Sequence, residues 1–427
     1  MEINHLYQLY LENPSIETDS RKIKKGDIFF ALKGPNFNGN QYAQQALNDG
    51  AAYCIVDEEA GFKDDRIIKV NDCLGSLQQL AKKHREQFSI PFIAITGSNG
   101  KTTTKELIHV VLSTSFTTYT TIGNLNNHIG IPLTILRVKA DAEIAVIEMG
   151  ANHQKEIEGY CTYTLPTHGM ITNCGKAHLE GFGGEEGVRK GKGELFDYLR
   201  KNNGTAFIFN DYDYLIEMSK GIPAVISYGT ANGDITGDEK NGSANEFLQV
   251  EISNGANIPE IKTQLVGGYN LPNVLAAVCI GKTFKVDDEK IKSALENYTP
   301  SNSRSQLIEK DGNRIILDAY NANPSSMKAA IENFANMHSD KKVLVLGSMM
   351  ELGEESIREH KALVNLVNQS QWQNVVLVGK DYKDLPGHFI HFNNAIEAKE
   401  WYKQQHFKDA LVLIKGSRSM QMEKVLE

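Results

Sequence analysis

The chain of 427 residues is poor in cysteine and has no long apolar segment. Its five cysteines are scattered, and no Cys-x-x-Cys pair occurs among them. This pattern favours reduced thiols in packed positions over disulfides or a zinc site. No apolar run approaches the ~20 residues that a membrane span needs. The first residues lack the basic start and apolar core of a signal peptide, so we expect a cytosolic protein.

An excess of positive charge is also missing. The chain has 45 Lys and Arg against 53 Asp and Glu, a formal net charge of −8. This balance argues against nucleic acid or an anionic membrane as the main partner, although a local basic patch can still bind phosphates. The length predicts about two to four domains. The composition, 41% hydrophobic and 23% charged, is that of an ordinary globular protein.

Strand-like and helical patterns divide the chain into three α/β regions. The first region has strand patterns at 27–32 and 51–56 with a helical pattern at 41–48, which predicts a small α/β domain. The second has buried-strand patterns that alternate with helices, which predicts a doubly wound parallel sheet. These patterns lie at 91–96, 143–148 and 169–173, with a helix at 102–112.

The third region is predicted to be a Rossmann-like α/β domain. Its strand-like runs at 343–346, 375–378 and 411–414 are separated by helical segments. It carries no Gly-x-Gly-x-x-Gly fingerprint, so we predict no dinucleotide site there. A polar segment at 232–257 predicts hairpins or loops, and a domain boundary is predicted near residues 299–302.

A short glycine-rich segment joins the predicted strand 91–96 to the helix that follows. It reads Gly97-Ser98-Asn99-Gly100-Lys101-Thr102-Thr103. Backbone N–H groups of such a turn and the helix N-terminus bind phosphates, lysine reaches the β- and γ-phosphates, and threonine can bind Mg²⁺. The common P-loop pattern begins with a glycine where this chain has Ile95. The alternative is a simple helix N-terminus, but the order of strand, loop and helix favours a nucleotide site.

Three later residues are candidates for the same site. Glu148 ends a buried strand, and the carboxyl ends of parallel strands face the ligand crevice, where a carboxylate suits Mg²⁺. A salt-bridged glutamate is the alternative. His178 follows the next strand, where a lone histidine is more often a packing residue. Lys192 would by itself be a surface lysine, and its ammonium would repel Mg²⁺.

In their order along the chain, these segments resemble the Mur ligase family. The resemblance covers essentially the whole chain and includes two later motifs, at residues 269–277 and at residues 318–324. It implies ATP-dependent formation of an amide bond by a chain of three domains. These would be a UDP-sugar-binding domain at 1–88, a central ATP-binding domain at 89–300, and a C-terminal domain at 301–427 that binds the amino acid or peptide.

The resemblance also implies roles for individual residues. Gly97 to Thr103 would bind the ATP phosphates, Asn273 the adenine, Arg304 the phosphates and Asp318 the ribose. Two Mg²⁺ ions are implied, one at Thr102 and Glu148 and a second at His178 and a carbamylated Lys192. A carbamate would present anionic oxygen to the metal, as an aspartate does. The implied catalytic residues are Lys101, His178 and Lys192.

Further segments resemble the family members that add D-alanyl-D-alanine. They lie at 123–132, 148–153, 346–353 and 415–420, although His128 stands where other members often have an acidic residue. The first segment offers Asn124, Asn126 and Asn127 as substrate-binding residues. Lys415 and Arg418 would bind the carboxylate of the dipeptide, with an exposed basic turn as the alternative.

The N-terminal end resembles a UDP-sugar site through Ser20 and Arg21. This feature is shared with the ligase that adds the third residue of the peptide, but the Asp-Asn-Pro-Arg string of that ligase does not occur here. The resemblance therefore implies an enzyme that joins UDP-MurNAc-tripeptide to D-Ala-D-Ala through an acyl phosphate, and we expect this enzyme to be a monomer. The alternatives are a sister ligase, a folylpolyglutamate synthase, a P-loop switch or motor, or a non-catalytic binding protein.

Overall fold

The computed structural model describes residues 3–59, 61–240, 247–301, 303–383, 385–387 and 389–427. Asn302, at the predicted domain boundary, lies outside the described residues, and so does part of the polar segment 232–257. Within the described parts of the chain, no helix has the length and apolar character that a membrane span requires.

Some α-helices begin after a residue whose side chain accepts a hydrogen bond from one of their first N–H groups. Asp72 accepts one from the Leu74 N–H before the helix Cys73–Arg85, and Asn323 forms a capping box with Ser326 in the helix Pro324–Asn336. In chain order the helices are α1 Ile3–Glu12, α2 Ala43–Asn48, α3 Cys73–Arg85, α4 Lys101–Leu112, α5 Gly130–Ile135, α6 Glu156–Thr164, α7 Leu179–Phe182, α8 Glu185–Lys201, α9 Asp213–Ser219, α10 Leu271–Thr283, α11 Asp288–Asn297, α12 Pro324–Asn336, α13 Ser356–Val367 and α14 Ala395–Gln405.

Three inner strands, Phe92–Thr96, Ile144–Glu148 and Leu411–Lys415, are buried along their whole length, as is typical of parallel strands covered on both faces. In chain order the strands are β1 Ile16–Glu17, β2 Ile28–Phe30, β3 Lys33–Gly34, β4 Phe37–Asn38, β5 Tyr53–Val56, β6 Ile67–Lys69, β7 Phe92–Thr96, β8 Thr118–Thr120, β9 Ile144–Glu148, β10 His168–Ile171, β11 Thr205–Phe209, β12 Ala224–Gly229, β13 Ile235–Glu239, β14 Gln249–Asn254, β15 Ile261–Lys262, β16 Gln306–Lys310, β17 Asn313–Asp318, β18 Lys342–Gly347, β19 Asn374–Val378, β20 Ile390–Phe392 and β21 Leu411–Lys415.

The chain forms two compact units. The first comprises residues 1–95, 116–150 and 156–169, and the second comprises residues 96–115, 151–155 and 170–427. The first unit contains a parallel sheet in the order β1-β2-β5-β6, whose core includes Phe29, Ala46 and Cys54. In the same unit β9 pairs in parallel with both β7 and β8, and Glu148 lies opposite Ile95.

The second unit begins at the last residue of β7, so it contains the glycine-rich loop and helix α4. Helix α4 packs against α10 with Leu107, Ile108 and Val111 buried. The strands β10 to β15 follow one another in sequence order, parallel from β11 to β13 and antiparallel from β13 to β15. The polar segment predicted to form hairpins or loops thus contributes the antiparallel strands β13 and β14.

The second unit also contains a sheet in the order β16-β17-β21-β18-β19-β20. All its pairings are parallel except that between β16 and β17. Its core includes Val345, Val376, Val412 and Ile414, from the three strand-like runs identified in the sequence. The predicted α/β fold with parallel sheets is therefore confirmed. The three domain boundaries stay a prediction.

A buried arginine holds the end of α3 in the first unit. The Arg85 guanidinium donates hydrogen bonds to the carbonyls of Thr164 (2.9 Å), Phe88 (2.7 Å) and Leu165 (3.0 Å). It also lies 3.8 Å from the ring centroid of Phe92. The side chain therefore joins α3 to the end of α6 and to β7.

We expect Arg85→Met to lower the free energy of unfolding by about 3 kcal/mol. The substitution keeps the aliphatic stem but leaves three carbonyl groups without their charged donor. The thermal unfolding midpoint of the purified chain measures the effect. The matched control is Arg66→Met, because Arg66 is exposed and pairs with its neighbour Asp64. Equal midpoints for the two variants would contradict the assigned role of Arg85.

Candidate active site

Two glycines allow the loop between β7 and α4 to close tightly. Gly97 has a φ of 142°, and a Cβ at this position would overlap the Thr172 hydroxyl. Gly100 has a φ of 80°, and its Cβ would lie 2.7 Å from the Asn273 Oδ1. Only glycine meets both requirements at these two positions.

Asn173, just after β10, fixes the middle of this loop. The Ser98 N–H donates to the Asn173 carbonyl (2.9 Å), and the Asn99 N–H donates to the Asn173 Oδ1 (3.0 Å). The Thr172 hydroxyl donates to the Asn99 carbonyl at 2.6 Å. The amides of Ser98 and Asn99 therefore stabilise the loop itself. The first turn of a helix can bind an anion through its N–H groups, and in this segment that turn begins at Lys101.

Lys101 folds over the loop that precedes it. Its ammonium donates to the carbonyls of Gly97 (2.6 Å) and Ser98 (3.3 Å), so the charge lies at the loop and not in bulk solvent. Thr102 follows it and is buried. The cation, the helix N-terminus and the threonine hydroxyl are thus collected in one place, as phosphate binding requires.

Asn273 is buried beside this helix. Its Oδ1 accepts a hydrogen bond from the Thr104 hydroxyl (2.9 Å), and its Nδ2 donates to the Asn270 Oδ1 (2.9 Å). The sequence implied that Asn273 meets the adenine. In this structure the side chain joins α10 to the phosphate-loop helix.

Glu148 is buried at the carboxyl end of β9. Its Oε1 accepts a hydrogen bond from the Asn126 Nδ2 (2.7 Å), and its backbone N–H donates to the Thr121 hydroxyl (3.0 Å). Its strand partner Ile95 precedes the glycine-rich loop by one residue, Thr96. Asn126, predicted to bind substrate, therefore holds the carboxylate that is the candidate Mg²⁺ ligand.

The other two asparagines of that segment have different positions. The Asn127 Oδ1 accepts from the backbone N–H groups of Ile129 and Gly130, so it caps the start of α5. The Asn124 carbonyl accepts from the Asn126 N–H at 2.7 Å. These bonds define the turn that presents Asn126 to Glu148.

His178 lies at the start of α7 with its backbone in the left-handed region, at a φ of 52°. Its Nδ1 is 2.5 Å from the Oε2 of Glu351, whose φ is 61°. The bond to His178 holds the pKa of the Glu351 carboxyl below its usual range, although partial burial opposes the shift. Sequence analysis gave Glu351 no role of its own, and a carboxylate at this distance fixes the orientation of the imidazole.

Lys192 is buried within α8, so the reading of it as a surface lysine is wrong. Its ammonium donates to the Ala151 carbonyl (3.0 Å) and lies 4.8 Å from the Phe182 ring centroid. A buried ammonium is energetically costly unless groups such as this carbonyl and this aromatic ring stabilise its charge.

The donor set fits Mg²⁺ bound together with phosphates. The described residues contain no group of three or more His, Cys, Asp and Glu side chains that could enclose a metal ion by themselves. Mg²⁺ commonly takes one or two carboxylates and completes its coordination with phosphate oxygens and water. Buried Glu148 of the first unit offers an oxygen ligand of this kind, and so does the hydroxyl of Thr102 in helix α4 of the second unit.

The basic residues at the end of β21 do not form an exposed pair. Lys415 is buried, and its Nζ lies 2.5 Å from the Asp318 Oδ2. Arg418 is exposed and donates to the Glu423 Oε1 at 2.9 Å. The expectation that both cationic groups face the cleft is therefore not met by Lys415, because a carboxylate on the adjacent strand holds it inside.

The remaining candidates lie on the two units separately. The Arg304 guanidinium stacks 3.6 Å from the Tyr320 ring centroid in the second unit. In the first unit Ser20 is buried, while Arg21 is exposed and forms a bidentate pair with Asp19 at 2.8 Å for both bonds. Their assignment to phosphates and to a UDP-sugar stays a prediction.

Contacts from α12 and α13 reach the loops around the phosphate site. The Asn323 Nδ2 donates to the Asn99 Oδ1 (2.8 Å), and the Ser325 hydroxyl accepts from the Lys176 N–H (2.9 Å). Lys176 also pairs with buried Glu359 at 2.8 Å. Sequence analysis did not predict these contacts. The one available signal was Asn323 before Pro324, which only predicts a helix N-terminus.

The loop that carries Glu351 is fixed by a buried histidine. The His360 Nε2 accepts a hydrogen bond from the Met349 N–H (3.0 Å), and its Nδ1 donates to the Ser356 carbonyl (2.7 Å). The His360 ring packs against the Tyr382 ring in a T-shaped geometry. This arrangement requires the neutral imidazole, since an imidazolium has no acceptor for the Met349 amide.

Three family models match successive parts of the chain. The Mur ligase family catalytic domain matches residues 14–85, the Mur ligase middle domain matches residues 95–281, and the Mur ligase glutamate ligase domain matches residues 303–418.

The chain is also similar to named ligases over nearly its full length. It is 33% identical to the UDP-N-acetylmuramoyl-tripeptide–D-alanyl-D-alanine ligase of Bacillus subtilis, with 96% of this chain and 92% of that protein covered. It superposes on MurF from Acinetobacter baumannii with a TM-score of 0.87 at 29% identity, over 98% and 97% of the chains. MurF from Thermotoga maritima, solved in complex with ADP, gives a TM-score of 0.85 at 28% identity, over 97% of each chain.

We expect the stability conferred by His360 to decrease in acid. Burial lowers the pKa of His360 from its ordinary value of 6.5, while Asp381, Glu359 and the bond to Ser356 oppose the shift. Because the folded pKa lies below the unfolded one, the contribution is complete above about pH 6.5. It is lost as the pH falls through the folded pKa, since the unfolded chain binds the proton more readily.

Unfolding midpoints between pH 8 and pH 5 measure this effect. His360→Gln should show a smaller loss in acid than the unchanged chain, because glutamine can accept from the Met349 N–H without titrating. The other buried histidines titrate in both proteins, so their effects on the unfolding midpoint cancel when the two pH profiles are compared. Identical pH profiles would show that His360 does not contribute in this way.

Proposed function

Because this chain belongs to the Mur ligase family, we propose that it is the ATP-dependent ligase that joins D-alanyl-D-alanine to UDP-N-acetylmuramoyl-tripeptide. The product would be UDP-MurNAc-pentapeptide for peptidoglycan synthesis. The observation that carries the proposal is the similarity to ligases of this name over 96% of the chain. The intact loop from Gly97 to Thr103 and the buried Glu148 support it.

The chemistry explains why a nucleotide site is needed. A carboxylate is a poor acylating agent because it would have to expel oxide. One carboxylate oxygen of the tripeptide attacks the γ-phosphorus of ATP, the bond to the β-phosphate oxygen breaks, and an acyl phosphate and ADP form. The neutral amine of D-alanyl-D-alanine then attacks the acyl carbon. Phosphate leaves, the amine loses a proton, and the amide is complete.

The residues of the loop reduce the charge repulsion in the first step. The carboxylate and the triphosphate are both anionic, and Lys101 with the N-terminus of α4 would lower the energy of their approach. Two Mg²⁺ ions, when bound, supply further positive charge to the phosphates. Thr102 and Glu148 would hold one ion, and His178 with a carbamylated Lys192 would hold the other.

The nucleotide base and sugar would be bound by the second unit. Asp318 can accept hydrogen bonds from ribose hydroxyls, and Arg304 carries positive charge for the phosphates. Asn273 supports the site through its bond to Thr104, next to the phosphate loop. We assign the adenine contact to this asparagine by its motif.

Two further groups of residues would bind the two other substrates. Exposed Arg418 is the cation that suits the carboxylate of the incoming dipeptide, because guanidinium binds carboxylate with two parallel hydrogen bonds. Ser20 and Arg21 suit the UDP end of the other substrate, and Asn124, Asn126 and Asn127 its remaining polar groups. We propose that the enzyme acts as a monomer in the cytosol, where ATP is available.

The decisive experiment compares acceptors in an ADP-release assay. With UDP-MurNAc-tripeptide and ATP present, D-alanyl-D-alanine should give ADP and a pentapeptide product. No ligation product is expected with lysine, diaminopimelate or glutamate. Each of these acceptors is offered together with the donor that a sister ligase or folylpolyglutamate synthase would use. ATP hydrolysis that is independent of the acceptor would instead favour a P-loop switch or motor.

We expect Lys101→Ala to abolish ligation in the same assay, by about a hundredfold or more, because the charge at the transferring phosphate is lost. Binding of the UDP substrate, measured by calorimetry, should stay unchanged. The matched control is Lys105→Met, which removes a buried lysine on the same helix that pairs with Glu106. Retained turnover in Lys101→Ala would contradict the assigned role of the loop.

We expect Lys192→Ala to lose activity that bicarbonate does not restore. A short-chain carboxylic acid should partly restore it, because its carboxylate can occupy the space of a carbamate. The carbamate forms when the neutral amine bonds to the carbon of CO₂ and loses a proton. Exposed Lys190, which pairs with Glu186 on the same helix, provides the control Lys190→Ala. Normal activity in Lys192→Ala would exclude the carbamate.

A further inference from the structure

We propose that Lys415 is a positioning residue that holds Asp318 for the nucleotide ribose and does not bind the carboxylate of the dipeptide. The inference rests on the proposed function, because the role of Asp318 does. The motif around Lys415 had suggested instead that this lysine binds the dipeptide. The evidence for the new role is the position of the Lys415 and Asp318 side chains in the sheet.

Lys415 and Asp318 end neighbouring strands at the same level. Strands β17 and β21 are parallel, and Asp318 is the register partner of Lys415. The Nζ of Lys415 lies 2.5 Å from the Asp318 Oδ2 and donates to the Asn321 carbonyl at 3.2 Å. The lysine side chain is 2% exposed, whereas the aspartate is 16% exposed. The carboxylate is therefore the member of the pair that a ligand can reach.

The second oxygen of Asp318 is also held. Its Oδ1 accepts a hydrogen bond from the Ser305 N–H at 3.1 Å. The Ser305 hydroxyl in turn accepts from the Tyr269 hydroxyl at 2.9 Å. Both oxygens thus have one partner from the protein, which fixes the plane of the carboxylate. Each oxygen keeps further acceptor capacity for a hydroxyl group.

The ion pair also fixes the position of the Asp318 carboxylate. Lys415 holds Oδ2 from the end of the neighbouring strand, and Ser305 holds Oδ1, so both oxygens keep a fixed place at the carboxyl end of β17. Lys415 therefore acts on the ribose through Asp318.

The geometry argues against direct contact between Lys415 and the dipeptide. The buried ammonium already makes two bonds inside the protein. A carboxylate from solvent would have to reach an ammonium that is 2% exposed and lies behind Asp318, which carries the same charge as the carboxylate. Arg418, three residues later, is exposed, and its guanidinium has donors beyond the one that binds Glu423.

Nucleotide selectivity tests this role without requiring ligation. Calorimetry on the full chain would compare ADP with 2′,3′-dideoxy-ADP. The unchanged protein should bind ADP about tenfold or more tightly than the dideoxy analogue, as expected for hydrogen bonds to a charged acceptor. In Lys415→Met the ratio should fall to below about threefold. Asp318→Asn should behave similarly, and combining both substitutions should cause little further change.

Two controls separate this role from simple loss of structure. Lys361→Met removes an exposed lysine from α13 and should keep the full ratio. Lys415→Arg retains the charge and should retain more of the ratio than Lys415→Met. If Lys415→Met does not fold, as judged by its unfolding transition, the comparison of Lys415→Arg with Lys415→Gln gives the same test.

Other outcomes would overturn the proposal. In Lys415→Met, the ratio of the affinities for ADP and the dideoxy analogue could stay unchanged while the KM for D-alanyl-D-alanine alone increases about tenfold. This result would assign Lys415 to binding of the dipeptide. Equal weakening of ADP and its dideoxy analogue would show a merely structural role. If the unchanged protein bound ADP and the dideoxy analogue equally well, the proposed contact between Asp318 and the ribose would be excluded. Failure of the ligation assay, with the nucleotide ratios as predicted, would count against the proposed ligase function alone.

Discussion

The glycine-rich loop between β7 and α4 depends on one constraint, which is the close approach of its backbone to the end of β10. Gly97 has no room for a Cβ beside Thr172, and Asn173 holds the next two amides of the loop. Two N–H groups of the loop are therefore used in hydrogen bonds within the protein. This leaves the start of α4 and Lys101 as the positive end of the site. The position of the candidate catalytic lysine therefore follows from how β10 ends.

The same loop is linked to the C-terminal part of the chain. Asn99, held by Asn173, also accepts from Asn323 at the start of α12. Lys176 reaches Glu359 of α13, and His178 reaches Glu351. These contacts join the nucleotide site to the segments that follow β17 and β18. A ligase must bring an acceptor amine to an activated carboxyl, and such contacts can couple nucleotide binding to the arrangement of the acceptor segments.

Sequence patterns predicted the elements better than the partners of single side chains. Buried strands such as β7 and β21 follow directly from apolar runs, and α4 from the spacing of Leu107, Ile108 and Val111. Glu148 was located because a strand end is a property of the local sequence. Its bond to Asn126 and the role of Asn173 depend on which strands are neighbours, and local patterns contain no such information.

Lys415 is a second case in which the local sequence did not show the partner of a side chain. A lysine after an apolar strand predicts a cation at the edge of the sheet, and the motif around it suggested a substrate carboxylate. Its actual partner comes from β17, 97 residues away in sequence, through the parallel register of the two strands. Since Asp318 supplies the negative charge from within the protein, the cation serves the site indirectly. In the proposed arrangement the partly buried Asp318 carboxylate, and not the buried ammonium, would contact the nucleotide.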